Sequence, residues 1–165
     1  MRPSIILQWV AGSIAAIAVA MVPPCVLALR AGAAAEAQVY ALSALVCLTL
    51  AGGMLVGFAQ KPKIAERASS LREVIAVMMA WWFVVPCFAA LPLVFNGLGL
   101  VDGWYETVAA ITTTGAWLSH EGARASAAGM LWRAELQSLG GLASLAFAAA
   151  VFIRPDFIGI ETIIP

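Results

Sequence analysis

The chain has 165 residues, 63% of them hydrophobic and 11% charged, with a mean hydropathy of +0.97. Soluble domains are about half apolar and about a quarter charged, so this composition all but excludes a soluble enzyme, a disordered segment or a disulfide-stapled secreted domain. Nine basic and nine acidic residues cancel, which leaves no global field to recruit nucleic acid.

A spanning helix needs about 20 mainly apolar residues, since about 30 Å of hydrocarbon is crossed at about 1.5 Å per residue. Four stretches qualify, at about residues 5–29, 39–59, 74–95 and 130–153. The first is interrupted by Pro23-Pro24 and is too long, and too weakly basic at its start, for a typical cleaved signal peptide; it reads as a retained helix. A short Ala/Gly loop, residues 30–38, leads to the second, where Gly52, Gly53 and Gly57 provide a spacing that permits close helix approach. A basic connection follows, with Lys61, Lys63, Arg67 and Arg72. It suits acidic headgroups or a cytoplasmic partner, although topology alone explains it. The third stretch carries Trp81-Trp82, read as core or lipid-facing bulk.

Residues 96–129 contain a shorter apolar element, Trp104 to Ile111, too short to span. Asp102 stands where an N-cap would be, which predicts a helix starting near Gly103. It stops at Thr112-Thr113-Thr114-Gly115, a poor helix continuer that supplies extended, polar backbone. Irregular backbone at membrane depth is tolerated only when buried in protein or lining a cavity. Two readings stay open here: a re-entrant pore loop, or an extracellular loop carrying a surface helix. Trp104, Trp117 and Trp132 fall near this side, as interfacial anchors would. On the fourth span Arg133, Gln137, Gly140 and Ser144 share one side, facing protein, with Arg133 placed to snorkel at the outer edge.

Arg2, Lys61, Lys63, Arg67, Arg72 and Arg154 fall on one side of a four-span chain, and Arg30 and Arg124 on the other. The basic side faces the cytoplasm, so both termini are expected there. Cys25, Cys47 and Cys87 lie in apolar runs without CxxC spacing and read as small buried hydrophobes. His120 alone makes no zinc centre. Asp102, Glu106, His120, Glu121 and Glu135 offer no nucleophile or metal constellation, so no enzyme is expected.

The residues around 90–141 carry a resemblance. Ala90-Leu91-Pro92 is followed by Asp102-Gly103-Trp104-Tyr105-Glu106-Thr107-Val108, then Thr112-Thr113-Thr114-Gly115-Ala116, Leu131-Trp132-Arg133, Gln137 and Gly140-Gly141. This resembles the membrane subunit of the Trk/Ktr/HKT superfamily of potassium transporters, closest to the TrkH type. In that family a helix–pore loop–helix unit occurs four times, each contributing a quarter of a potassium filter. The motifs cover about residues 70–153; residues 1–60 fit only as two leading helices. Ser138 stands where the family usually has tryptophan, and Ala143 where it usually has the last glycine.

The resemblance implies an all-α integral membrane fold, with two leading spans (1–60), a basic cytoplasmic loop (61–73), a helix–pore loop–helix repeat (74–154) and a tail or the start of a next repeat (155–165). It implies backbone carbonyls of Thr112, Thr113, Thr114 and Gly115 as potassium ligands, with Asp102, Glu106, Arg133 and Gln137 as filter support. Glu106 is expected to hydrogen-bond filter backbone or to pair with a basic residue, Arg133 first, against the plainer reading of a solvated acid on an outer helix. The resemblance implies potassium as the substrate, and no organic cofactor or glycine-rich phosphate loop is visible. Expected partners are membrane lipid, the missing repeats or further copies, and a cytoplasmic nucleotide-binding regulatory subunit. The expected location is the inner cell membrane. Only one such loop occurs in the chain, so it is expected to be a fragment, a split subunit or a self-assembling unit that does not conduct alone. The rival expectation is a non-conducting membrane scaffold with a vestigial pore loop.

Overall fold

A computed structural model describes residues 3–58, 71–118 and 126–152. Arg2, Lys61, Lys63, Arg67, His120, Glu121, Arg124, Arg154 and the 155–165 tail lie outside the described residues. The elements are α1 (Pro3–Ala20), α2 (Val22–Arg30), α3 (Ala34–Gly57), α4 (Leu71–Ala89), α5 (Leu91–Phe95), α6 (Leu100–Ile111) and α7 (Ala127–Phe152). Four runs are long and apolar enough to cross a membrane: Ile6–Arg30, Ala34–Gly57, Leu71–Phe95 and Ala127–Phe152. Among the described residues the fold is all-helical.

Prolines place the breaks. Pro23 and Pro24 sit in the first turn of α2, where missing N–H groups cost nothing, and α1 gives way to α2 at Met21. The third run divides at Ala90, two residues before Pro92. Pro92 has no N–H for the carbonyl of Phe88, and the Leu93 N–H turns to Ala90 O at 3.0 Å. The carbonyl of Ala89 is thereby left over, and the indole Nε1 of Trp132 donates to it at 3.2 Å.

The second span begins at Ala34, five residues before the sequence reading placed it, and the expected loop at 30–38 contracts to Ala31–Ala33. Ala34-Ala35-Glu36-Ala37 are strong helix formers, and Glu36 in the first turn suits the helix dipole. A glycine makes so tight a connection possible. Gly32, at φ +75°, donates to Leu29 O while Ala33 donates to Ala28 O, which closes α2 with its last carbonyls satisfied.

Helix α1 packs on α3 and α4, α2 on α3 and α7, and the short α6 lies against α7 and α4. Ile14, Met21, Tyr40, Cys47, Val85, Trp132 and Leu136 form the shared core. Trp81 and Trp82 are half-buried, and the Trp81 ring lies 5.8 Å from that of Phe147, joining α4 to α7. Outward, the surface is apolar: Trp9, Leu45, Phe83 and Leu145 are all exposed, and only 11% of the most apolar stretch of α7 is buried. A water-soluble monomer does not tolerate such a surface, whereas hydrocarbon does.

Three packing expectations need correction. A Cβ at Gly52, Gly53 or Gly57 would meet nothing within 4 Å, so these glycines serve no close approach among the described residues. Cys47 is buried and Cys25 half-buried, but Cys87 is exposed on the outer, apolar side of α4. Trp132 is no interfacial anchor; it is 1% exposed, because the Ala89 carbonyl inside the fold offers its N–H a partner.

Candidate functional site

The short helix α6 starts at Leu100, with Gly99 as its extended N-cap. Asp102 is therefore a first-turn residue and not the cap; it is exposed, and its charge favours the N-terminal dipole. Apolar Leu100 and Val101 extend the helix backwards and stand exposed. The inner face is made of small and polar groups: Gly103, Glu106, Thr107, Ala109 and Ala110 are all buried. Thr107 satisfies its hydroxyl on the helix itself, donating to Gly103 O at 2.8 Å.

The end of α6 differs from the other helix ends. Helices α2 and α5 finish on glycines in left-handed conformation, Gly32 and Gly97. Helix α6 finishes on Thr113 at φ +59°, a conformation that costs an L-residue about 1–2 kcal/mol and a β-branched one the most. Thr112 N–H donates to Val108 O, Thr113 N–H to Ala110 O and Gly115 N–H to Ala109 O, so the turn folds back and satisfies the helix end. Thr112 Oγ1 donates to Val108 O at 2.8 Å and lies 2.9 Å from Thr114 Oγ1. Gly115 adopts φ +79°, open to glycine at no steric cost. The carbonyls of Thr112, Thr113, Thr114 and Gly115 accept no hydrogen bond from another described residue, and the three threonines are exposed.

A backbone strain maintained where glycine would serve better predicts a separable effect. Thr113→Gly is expected to leave stability unchanged or raise it by up to about 1 kcal/mol, since relief of about 1–2 kcal/mol of strain exceeds the added chain entropy. Denaturant unfolding in bilayer-mimicking micelles checks this; a loss above about 1 kcal/mol would show that the Thr113 side chain holds the turn.

Behind the turn sits a buried charge pair. Glu106 is 3% and Arg133 8% exposed. Glu106 Oε1 accepts the Leu118 N–H at 2.8 Å, and its Oε2 lies 3.8 Å from Arg133 Nη1, an ion pair rather than a hydrogen bond. Arg133 Nη2 donates to Ala116 O at 2.5 Å, and the guanidinium lies 3.9 Å from the centre of the Trp117 ring. Arg133 thus faces inward and does not snorkel: the carboxylate, the carbonyl and the aromatic face together replace its water. The space between Glu106, Trp117, Trp132 and Arg133 is about 20 Å³, room for one water and no larger ligand. The arrangement holds residues 116–118 from behind and is not itself a binding cavity.

Of the residues the sequence singled out, Glu106, Arg133 and the 112–115 turn come together, while Asp102 and Gln137 do not. Gln137 is half-buried without a hydrogen bond to another described residue, and Ser144 is exposed. Sequence reasoning missed the part played by Trp117 beneath Arg133 and by the backbone of Ala116 and Leu118. It also missed Ser126, which caps α7 by accepting the Gly129 N–H at 3.0 Å and hydrogen-bonds Glu36 of α3. A serine just before an Ala-Ala run is a readable cap; its reach to Glu36 leaves no local signal. Glu135 keeps one buried oxygen, Oε2, without a hydrogen-bond partner, and no group of His, Cys, Asp and Glu able to hold a metal occurs among the described residues.

Comparison of this chain with protein-family models, with curated proteins and with solved structures returns no match, so the resemblance to potassium transporters rests on the quoted motifs alone.

Proposed function

We propose that this chain supplies one helix–pore loop–helix unit, with two leading spans, to a monovalent-cation pathway selective for potassium, in the manner of Trk-type uptake systems. In this reading α6 is a re-entrant pore helix, and the third and fourth spans flank it. Four apolar spans support a membrane setting, the basic loops support cytoplasmic termini, and the resemblance supports the inner cell membrane.

The observation that carries the reading is the set of carbonyls on Thr112–Gly115 that accept no hydrogen bond among the described residues. A potassium ion must shed water to pass a narrow filter, and carbonyl oxygens replace that shell. Here successive main-chain oxygens accept from no donor among the described residues, since the turn has already satisfied the helix end through N–H groups and a threonine hydroxyl. The Glu106–Arg133 pair holds the following residues without placing a net charge beside the ion. One loop supplies part of a ring, so the working pathway needs further repeats or copies, over a regulatory nucleotide-binding subunit in the family's manner. No step calls for chemistry on the substrate, and the unit acts by binding and passage.

Gly115→Ser tests it. A side chain at φ +79° costs about 1–2 kcal/mol, so the turn is expected to relax away from this geometry and the K⁺ over Na⁺ flux ratio to fall. The measurement is ion flux into potassium-uptake-deficient bacteria carrying the chain with its native assembly. Equal ratios in variant and wild type would overturn the assignment.

A further inference from the structure

The 112–115 turn is held at its far end by Arg133, and its near end is held from the same helix. A Cβ built on Gly140 of α7 would lie 1.8 Å from Ile111 O, 2.7 Å from Ile111 C and 2.9 Å from Ile111 Cα. The backbone of α7 therefore rests directly on the last peptide of α6. No flexible side chain stands between them to give way.

Arg133 and Gly140 are seven residues apart, almost two turns, so they occupy the same face of α7 at heights about 10 Å apart. Their contacts are Ala116 O and Ile111 O, the two peptides that bracket the turn. Five residues can reach about 17 Å when extended. They are not extended here: Thr113 and Gly115 turn at positive φ, and Gly115 N–H returns to Ala109 O.

We propose that Gly140 and Arg133 are positioning residues: two contact points on one face of α7 that fix the start and end of Thr112–Gly115 and thereby set which ion its carbonyls fit. The ion-selectivity half rests on the proposed transport function; the positioning half does not. Ligand sites lose function when displaced by about 0.5–1 Å. An alanine at 140 forces Ile111 O back by about 1.2 Å to reach even the 3.0 Å limit of real Cβ contacts. Gly141 is the matched control, because a Cβ there meets nothing within 4 Å.

The test uses the full chain in its native membrane assembly, reconstituted in bilayers. Carbonyl ¹³C shifts of residues 111–118 are read by solid-state NMR, first without added ion and then in K⁺ and Na⁺ titrations. In Gly140→Ala the resting shifts of 111–114 are expected to move and the K⁺ over Na⁺ preference to fall on the order of tenfold, with Gly141→Ala like wild type. Arg133→Lys keeps the charge but loses the planar fork, so it is expected to move 115–118 and spare 111. If Gly140→Ala does not fold, judged by helical circular dichroism, Arg133→Lys carries the test alone. A folded Gly140→Ala with wild-type shifts and preference overturns the inference, as does a Gly141→Ala with the same changes. A wild type indifferent to K⁺ overturns the transport function and the selectivity half with it, while the resting shifts still decide the positioning.

Discussion

Arg133→Met is expected to destabilise the fold by about 3–5 kcal/mol, because it leaves the Glu106 carboxylate buried with its counter-charge gone. Glu106→Gln removes the Glu106 counter-charge from the guanidinium, although an amide oxygen still accepts from Leu118 N–H. Replacing both removes the unpaired charge altogether, and the double variant is expected to cost less than the sum by about 1–3 kcal/mol. Unfolding in mixed micelles completes the cycle. Additive losses would mean that the 3.8 Å approach carries no coupling and that Arg133 acts through its other contacts, Ala116 O and Trp117 among them.

Trp132→Ala is the second large effect. The indole is 1% exposed, its ring lies 6.3 Å from that of Tyr40, and its N–H serves the Ala89 carbonyl released by Pro92. Aromatic truncation in a core costs about 3–5 kcal/mol. In a bilayer the transfer part shrinks, since lipid is as apolar as the core, so about 3 kcal/mol is expected from the cavity and the orphaned carbonyl. Trp132→Phe separates the two, keeping most of the volume and losing the donor. If Phe restored full stability, the hydrogen bond would contribute nothing and the proline break would need no outside partner.

The spans were legible because length and apolarity alone decide them; their boundaries were less so. Ala34–Gln38 read as a loop because alanines and one glycine resemble a linker, yet alanine is the strongest helix former, and Gly32 alone made the turn. Asp102 looked like a cap because of its residue type. Apolar Leu100 and Val101, two residues that suit both lipid and helix, carried the start back to Gly99. The glycine spacing at Gly53 and Gly57 suggested close packing, but which helix face meets a neighbour is a tertiary fact that small residues alone do not encode.

At the site, Glu106 and Arg133 were legible as a pair because ionisable groups inside apolar sequence need partners. Arg133 does not snorkel: it is 8% exposed, with its guanidinium over the Trp117 ring and on Ala116 O. The seat of Ile111 on Gly140 gave no sequence signal beyond the glycine itself. Its meaning depends on the height at which α6 meets α7, a tertiary fact that the glycine alone does not encode.

The most direct test is the position of a heavy potassium substitute in the complete assembly, by anomalous scattering from Tl⁺ or Rb⁺. The account predicts an ion peak on a central pathway, touching carbonyl oxygens of Thr112–Gly115. A peak elsewhere, with those carbonyls facing bulk water away from any axis of the assembly, would contradict it.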